Sequence, residues 1–240
     1  ICLHGIWDDG KYFEQFALAG AFPGQTMYLF DLRGHGESDK PESGYALSDY
    51  AEDIIAFIIE RRLEDVVLVG HSLGALTSLL VAAELPDRVG AMLLEDPPIP
   101  LRVETRSTFA SLLDLKQKPF ETVVEEFLVW RPFMTREQAE ASARRLLRTA
   151  DGVLDAASRD LTGGRAFPPT DEEIPAPTLV IQAGYEEQRA FGSEGPALLG
   201  AILPNLQIET IPETSHNILR EKPDKYLEIV NAWWDGLKPA

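Results

Sequence analysis

One cysteine in 240 residues, Cys2, leaves no partner for an internal disulfide, which removes the stapled secreted folds and fits a reducing, cytoplasmic setting. Long hydrophobic runs are missing too. No stretch approaches the ~20 apolar residues that span a bilayer, and no signal peptide is visible, although the sequence opens inside a hydrophobic element, Ile1-Cys2-Leu3. Basic residues are scarce, 22 against 39 acidic, for a formal charge of −17. A polyanionic partner is repelled at long range, so neither nucleic acid nor an anionic membrane surface is expected to bind. Histidine is rarer still, with four in the chain, none paired at ligand spacing, and with one cysteine they build no structural zinc site. Gly34 and Gly36 form a G-x-G without a third glycine at the required offset or a helix opening at Lys40-Pro41, so no dinucleotide fingerprint exists. No metal and no cofactor is expected, and the partner that remains is a small-molecule substrate.

What is present is the composition of an ordinary globular protein, 45% hydrophobic and 25% charged. Short apolar runs alternate with helical patterns, without an internal repeat. The strand candidates are Ile1–Leu3, Thr26–Phe30, Val66–Val69, Ala91–Leu94, Thr178–Gln182 and Leu206–Ile211. They are mostly continuous apolar runs, as strands covered on both faces require, so the pattern predicts an α/β fold with a mostly parallel central sheet flanked by helices. Leu47, Tyr50, Ala51, Ile54 and Ile58 keep one apolar stripe of a helix for which Ser48 is the expected N-cap, and a last helix is predicted from Asp224 to about Leu237, after Pro223. From about Leu101 to Glu173 the alternation stops: no strand is visible and helical patterns follow one another, including Arg136 to about Thr149. This segment holds 11 basic and 13 acidic residues, a balance of −2, which leaves −15 on the rest of the chain. It reads as a helical cap inserted between two sheet strands, dividing the core into 1–100 and 174–240. Phe109, Leu112, Leu113, Phe127, Trp130, Phe133 and Met134 are apolar enough to line its pocket or to form its own core.

The sharpest chemical signal is Gly70-His71-Ser72-Leu73-Gly74, a G-x-S-x-G placed after the strand Val66–Val69 and before an apolar helix, Ala75 to Glu84. A serine hydroxyl is a weak nucleophile at neutral pH, so it must be lifted out of the sheet on a tight turn where a base can reach it. The flanking glycines permit that turn.

With these motifs the sequence resembles the α/β-hydrolase fold superfamily, over nearly the whole chain from Ile1 to Leu237. His4-Gly5-Ile6-Trp7 is similar to the family's oxyanion loop, and Asp31-Leu32-Arg33-Gly34-His35-Gly36-Glu37-Ser38-Asp39 to the loop after its next strand. The resemblance implies two further strands ahead of Ile1, which is read as a trimmed start. It implies Ser72 as nucleophile and His216, in Glu213-Thr214-Ser215-His216-Asn217, as base, with Ser215 where a glycine is common. Backbone amides of Ile6 and Leu73 are the implied oxyanion donors, and Trp7 is read equally as pocket wall or packing. The acid departs from the commonest pattern. No aspartate follows Thr178–Gln182, where Glu186 and Glu187 stand, whereas the previous strand ends in Glu95-Asp96-Pro97-Pro98. Asp96 resembles the placement in pancreatic-type lipases and is preferred over Glu187, with Glu95 and Glu186 behind. The expectation is a serine hydrolase of a small, largely apolar ester or lactone. A carbon–carbon hydrolase, a perhydrolase or a small-molecule receptor on the same fold are the alternatives.

Overall fold

Strands that are apolar at nearly every position must find cover on both faces. The computed structural model describes residues 1–101, 105–131, 134–163 and 167–237. Its strands are β1 (Cys2–Leu3), β2 (Leu29–Phe30), β3 (Val66–His71), β4 (Val89–Glu95), β5 (Thr178–Ala183) and β6 (Leu206–Ile211). They form a parallel sheet in the order β2-β1-β3-β4-β5-β6. Period-two alternation then divides their side chains between two cores. Leu68, Met92, Leu94 and Val180 enter one core, while Val69, Leu93, Leu179 and Ile181 enter the other.

Parallel strands need long crossovers, and helices supply them. The first core is covered by α2 (Leu47–Arg61) and α3 (Leu73–Glu84), and the second by α1 (Glu14–Leu18) and α10 (Pro223–Leu237). The start of α2 differs from the expected one. Ala46, not Ser48, is the N-cap, because the Asp49 carboxylate in the first turn accepts the Ala46 N–H at 2.7 Å. That reach-back fixes the start ahead of Ser48. Likewise β2 is shorter than Thr26–Phe30; among the described residues it lies at the sheet edge, paired with β1, and the ladder takes in Leu29 and Phe30.

Between β4 and β5 lie α4 (Thr105–Lys116), α5 (Phe120–Trp130), α6 (Arg136–Arg148) and α7 (Asp151–Arg159), with no strand among the described residues of that stretch. The α6 start is a reciprocal cap: Thr135 Oγ1 accepts the Gln138 N–H at 3.2 Å while Gln138 Oε1 accepts the Thr135 N–H at 2.9 Å. These helices bury a core of their own, with Leu112, Val123, Val124, Ala143 and Leu146 inaccessible to solvent. Ala150 N–H to Gly34 O at 2.7 Å and Leu47 N–H to Leu161 O at 2.8 Å join the stretch to the sheet's loops. After β5 come α8 (Gly195–Gly200) and, beyond β6, α9 (Ile218–Glu221). No helix among the described residues is long and apolar enough to cross a membrane.

Candidate active site

Because every strand runs the same way, the C-terminal ends share one edge of the sheet. The strand order reverses between β1 and β3, and the chain leaves these two strands toward opposite faces, which opens a crevice at that edge. A cavity of about 1200 Å³ lies there, between the strand ends and the helices that follow β4, and Ser72, His216 and Ile6 line it.

Ser72 follows β3 directly, with φ 51° and ψ −110°, a conformation that an L residue holds only when its surroundings impose it. Here they do. The Ser72 N–H donates to Glu95 O at 3.1 Å, its carbonyl accepts from Ala75 at 3.0 Å and Leu76 at 3.1 Å, and the Gly74 N–H donates to His4 O at 3.1 Å. The turn leaves no room for a side chain on either flank: a Cβ at Gly70 would stand 2.4 Å from Gly74 O, and one at Gly74 only 1.9 Å from Leu3 O. Ile6 and Leu73, whose backbone N–H groups are the expected oxyanion donors, both line the cavity. Neither backbone N–H donates to a protein acceptor among the described residues.

His216 lies in the loop after β6 and is held from several sides. Its Nδ1–H donates to Asp96 Oδ2 at 2.7 Å, and its backbone carbonyl accepts from His71 Nε2 at 2.9 Å. Ser215 is part of the loop's architecture: its N–H donates to Glu221 Oε2 at 2.7 Å, and its hydroxyl binds Glu221 Oε1. Asp96, fully buried, sits just past β4 with φ 41°. Besides the imidazole, its carboxylate accepts the N–H groups of Ala190 at 2.8 Å, Phe191 at 3.3 Å and Ala183 at 3.4 Å. Such bonds fix the position of a carboxylate.

The other acids considered from sequence lie elsewhere. Glu187 is exposed on the cavity rim, and Glu186, also exposed, faces Arg189 at 3.9 Å. Glu95 is fully buried but turned the other way, its Oε1 accepting the Tyr12 hydroxyl at 2.6 Å and the Leu219 N–H at 3.0 Å. Burial pushes its carboxyl up to about 8. Of the apolar residues expected at the pocket, Phe109, Phe127 and Met134 line the cavity. Leu112 and Leu113 belong to the helical core and Trp130 is 46% exposed, while Phe133 lies outside the described residues. Trp7 does both things asked of it, lining the cavity and meeting Phe109 edge to face at 6.3 Å.

Nothing in the sequence shows that the His71 side chain reaches the site. The turn brings its ring to 4.7 Å from the His216 ring, stacked on Tyr12 at 4.6 Å. Burial drives its pKa well below the ordinary value, so the ring is neutral and its one N–H is taken by the His216 carbonyl. A second group escaped notice as well. Arg106, Arg131, Arg145 and Arg220 all border the cavity, and nothing in their spacing along the chain shows that they meet.

The family described as "Alpha/beta hydrolase family" matches residues 1–229. The chain is 28% identical to the 2-(acetamidomethylene)succinate hydrolase of Mesorhizobium japonicum, over 97% of this chain and 86% of that one. It is 25% identical to an sn-1-specific diacylglycerol lipase of Mus musculus, over 97% of this chain and 80% of that one. Among solved structures, an esterase from Exiguobacterium antarcticum superposes with a TM-score of 0.80 at 18% identity, covering 98% of this chain and 91% of that one.

Proposed function

The chain belongs to the alpha/beta hydrolase family, and from that premise we propose that it is a serine hydrolase acting on a carboxylic ester or lactone through an acyl-enzyme. The helices after β4 are its cap. The observation that carries the reading is the contact between His216 Nδ1 and the buried Asp96 Oδ2 at 2.7 Å, with His216 lining the same cavity as Ser72. With Nδ1 committed to the carboxylate, Nε2 is the nitrogen left to take a proton.

In this mechanism Ser72 Oγ attacks the substrate carbonyl as its proton passes to His216 Nε2. The tetrahedral oxyanion lies against the Ile6 and Leu73 amides, which are free to receive it, and the positive N-terminal end of α3 stands behind them. Collapse breaks the bond to the leaving alkoxide, which takes the proton from the imidazolium. Water then attacks the acyl-Ser72, again giving its proton to His216, and the carboxylic acid departs while the serine hydroxyl is restored. Asp96 stabilises the imidazolium without being protonated itself. The lipase and hydrolase relatives support bond cleavage at an acyl group. Apolar parts of the substrate would rest on Trp7, Phe109, Phe127 and Met134.

Rapid mixing with a chromogenic acetate ester tests this. A burst of chromophore equal to the enzyme concentration, absent in Ser72→Ala, is the expected result. A burst of unchanged size in Ser72→Ala would contradict the reading.

A further inference from the structure

In a chain with formal charge −17, the cavity is lined by six basic residues, Arg106, Arg131, Arg145, Arg189, Arg220 and Lys222, against five acidic ones. Four of the six have an acid beside them. Arg145 Nε, at 3.2 Å, and Arg220 Nη1, at 2.7 Å, share one carboxylate, that of Asp8. Arg131 has no carboxylate within ion-pair distance among the described residues. It donates instead to the neutral carboxamide of Asn217, whose oxygen, turned to satisfy the contact, lies 2.5 Å from Nη1 and 3.1 Å from Nη2. Glu221 favours the charged guanidinium from beyond ion-pair distance, while its oxygens accept from Ser215. Arg106 has no ion-pair partner among the described residues.

A guanidinium withdrawn from water without an anion is costly to keep, and desolvation accordingly lowers the Arg131 pKa. Its planar fork matches a carboxylate through two parallel hydrogen bonds. Asn217, its neutral partner, is the residue after His216, so an anion held there lies on the base side of the cavity. We propose that Arg131, with Asn217 beside it, binds a carboxylate of the substrate, so that the bond cleaved belongs to a molecule that is anionic apart from its scissile acyl group. The short apolar remainder meets the aromatic wall. This rests on Ser72 being the nucleophile. It narrows the substrate from largely apolar to a half-ester of a dicarboxylic acid or a similar acyl compound.

The test compares monomethyl succinate with dimethyl succinate, following methanol release, for wild type, Arg131→Met, Arg131→Lys and the surface control Arg136→Met. Wild type and Arg136→Met should prefer the anionic ester by about 10- to 100-fold in kcat/KM, as a charge-assisted contact allows. In Arg131→Met that preference should collapse, chiefly through KM, and Arg131→Lys should recover part of it. Succinate itself should inhibit wild type competitively and Arg131→Met at least about tenfold more weakly. A merely structural Arg131, acting by holding the loop of His216, would lower both esters alike and leave their ratio intact. That result, or a wild type that favours the neutral ester, overturns the proposal. Labelling by an alkyl phosphonate separates the two failures. If Ser72 is phosphonylated but the ester preference is absent, the carboxylate site is refuted; if Ser72 is not phosphonylated, the serine mechanism fails first and this proposal with it.

Discussion

Replacing Glu95 by glutamine should make the protein more stable, by an amount that grows with pH. Glu95 is inaccessible to solvent; its Oε1 accepts two hydrogen bonds, and its Oε2 has no hydrogen-bond partner among the described residues. Glutamine keeps an oxygen for Tyr12 and the Leu219 N–H and places an NH₂ where the unpartnered oxygen stands, so it copies the protonated acid. Burial raises the folded-state carboxyl from 4.5 to about 8. Between those values the unfolded chain has released the proton and the folded chain has kept it. The folded state therefore binds more protons, and stability falls as pH rises, by up to ~1.4 kcal/mol per unit. Below about pH 4.5 the group contributes no penalty; above about pH 8 the whole penalty applies, roughly 3 to 5 kcal/mol. Urea unfolding of both proteins at about pH 5 and about pH 8.5 measures it: the advantage of Glu95→Gln should widen by several kcal/mol across that window. A gap that stays constant within about 0.5 kcal/mol would show that Glu95 ionises normally in its buried site, and the argument from desolvation would be wrong.

Other consequences concern the site itself. Ser72→Ala and His216→Ala should each lower ester turnover by 10⁴-fold or more, with the double variant no worse than either, because members of such a unit do not contribute additively; steady-state kinetics on the three proteins decides this. Asp96→Asn should lower kcat by about 10⁴-fold while Glu187→Gln stays within a few-fold of wild type, and the opposite ranking would return the acid to the loop after β5. Gly74→Ala should destabilise the fold by about 3 kcal/mol or more, since its Cβ would stand 1.9 Å from the Leu3 carbonyl oxygen; a melting temperature unchanged from wild type would contradict that packing.

The sheet was legible because burial on both faces writes itself as continuous apolar runs, and β3 to β6 lie close to where those runs stand. Boundaries were less legible. The start of α2 depends on which side chain reaches a free N–H, and Asp49 reached further back than Ser48 suggested. Ser72 could be picked out because its turn demands glycine at Gly70 and Gly74, a local constraint that sequence records directly. Asp96 and His216 are 120 residues apart, so their meeting rested on resemblance and on the order of strands. The place of the His71 ring was not legible because its orientation depends on Tyr12 and the His216 carbonyl, neither of which is near it in sequence. The arginines of the cavity were invisible for the same reason: Arg131 and Arg145 come from α5 and α6 or their ends, Arg220 from α9, and only packing of those helices over the strand ends brings them to one cavity.

The covalent chemistry of one hydroxyl gives the most direct test. Wild-type protein treated with an alkyl phosphonate, digested and mapped by mass spectrometry, should carry a single adduct on the peptide containing Ser72. His216→Ala should acquire that adduct at least about 10³-fold more slowly, because the imidazole takes the serine proton. An adduct on any other residue, or labelling of Ser72 at an unchanged rate without His216, would contradict the claim that Ser72 is a nucleophile activated by His216 and Asp96.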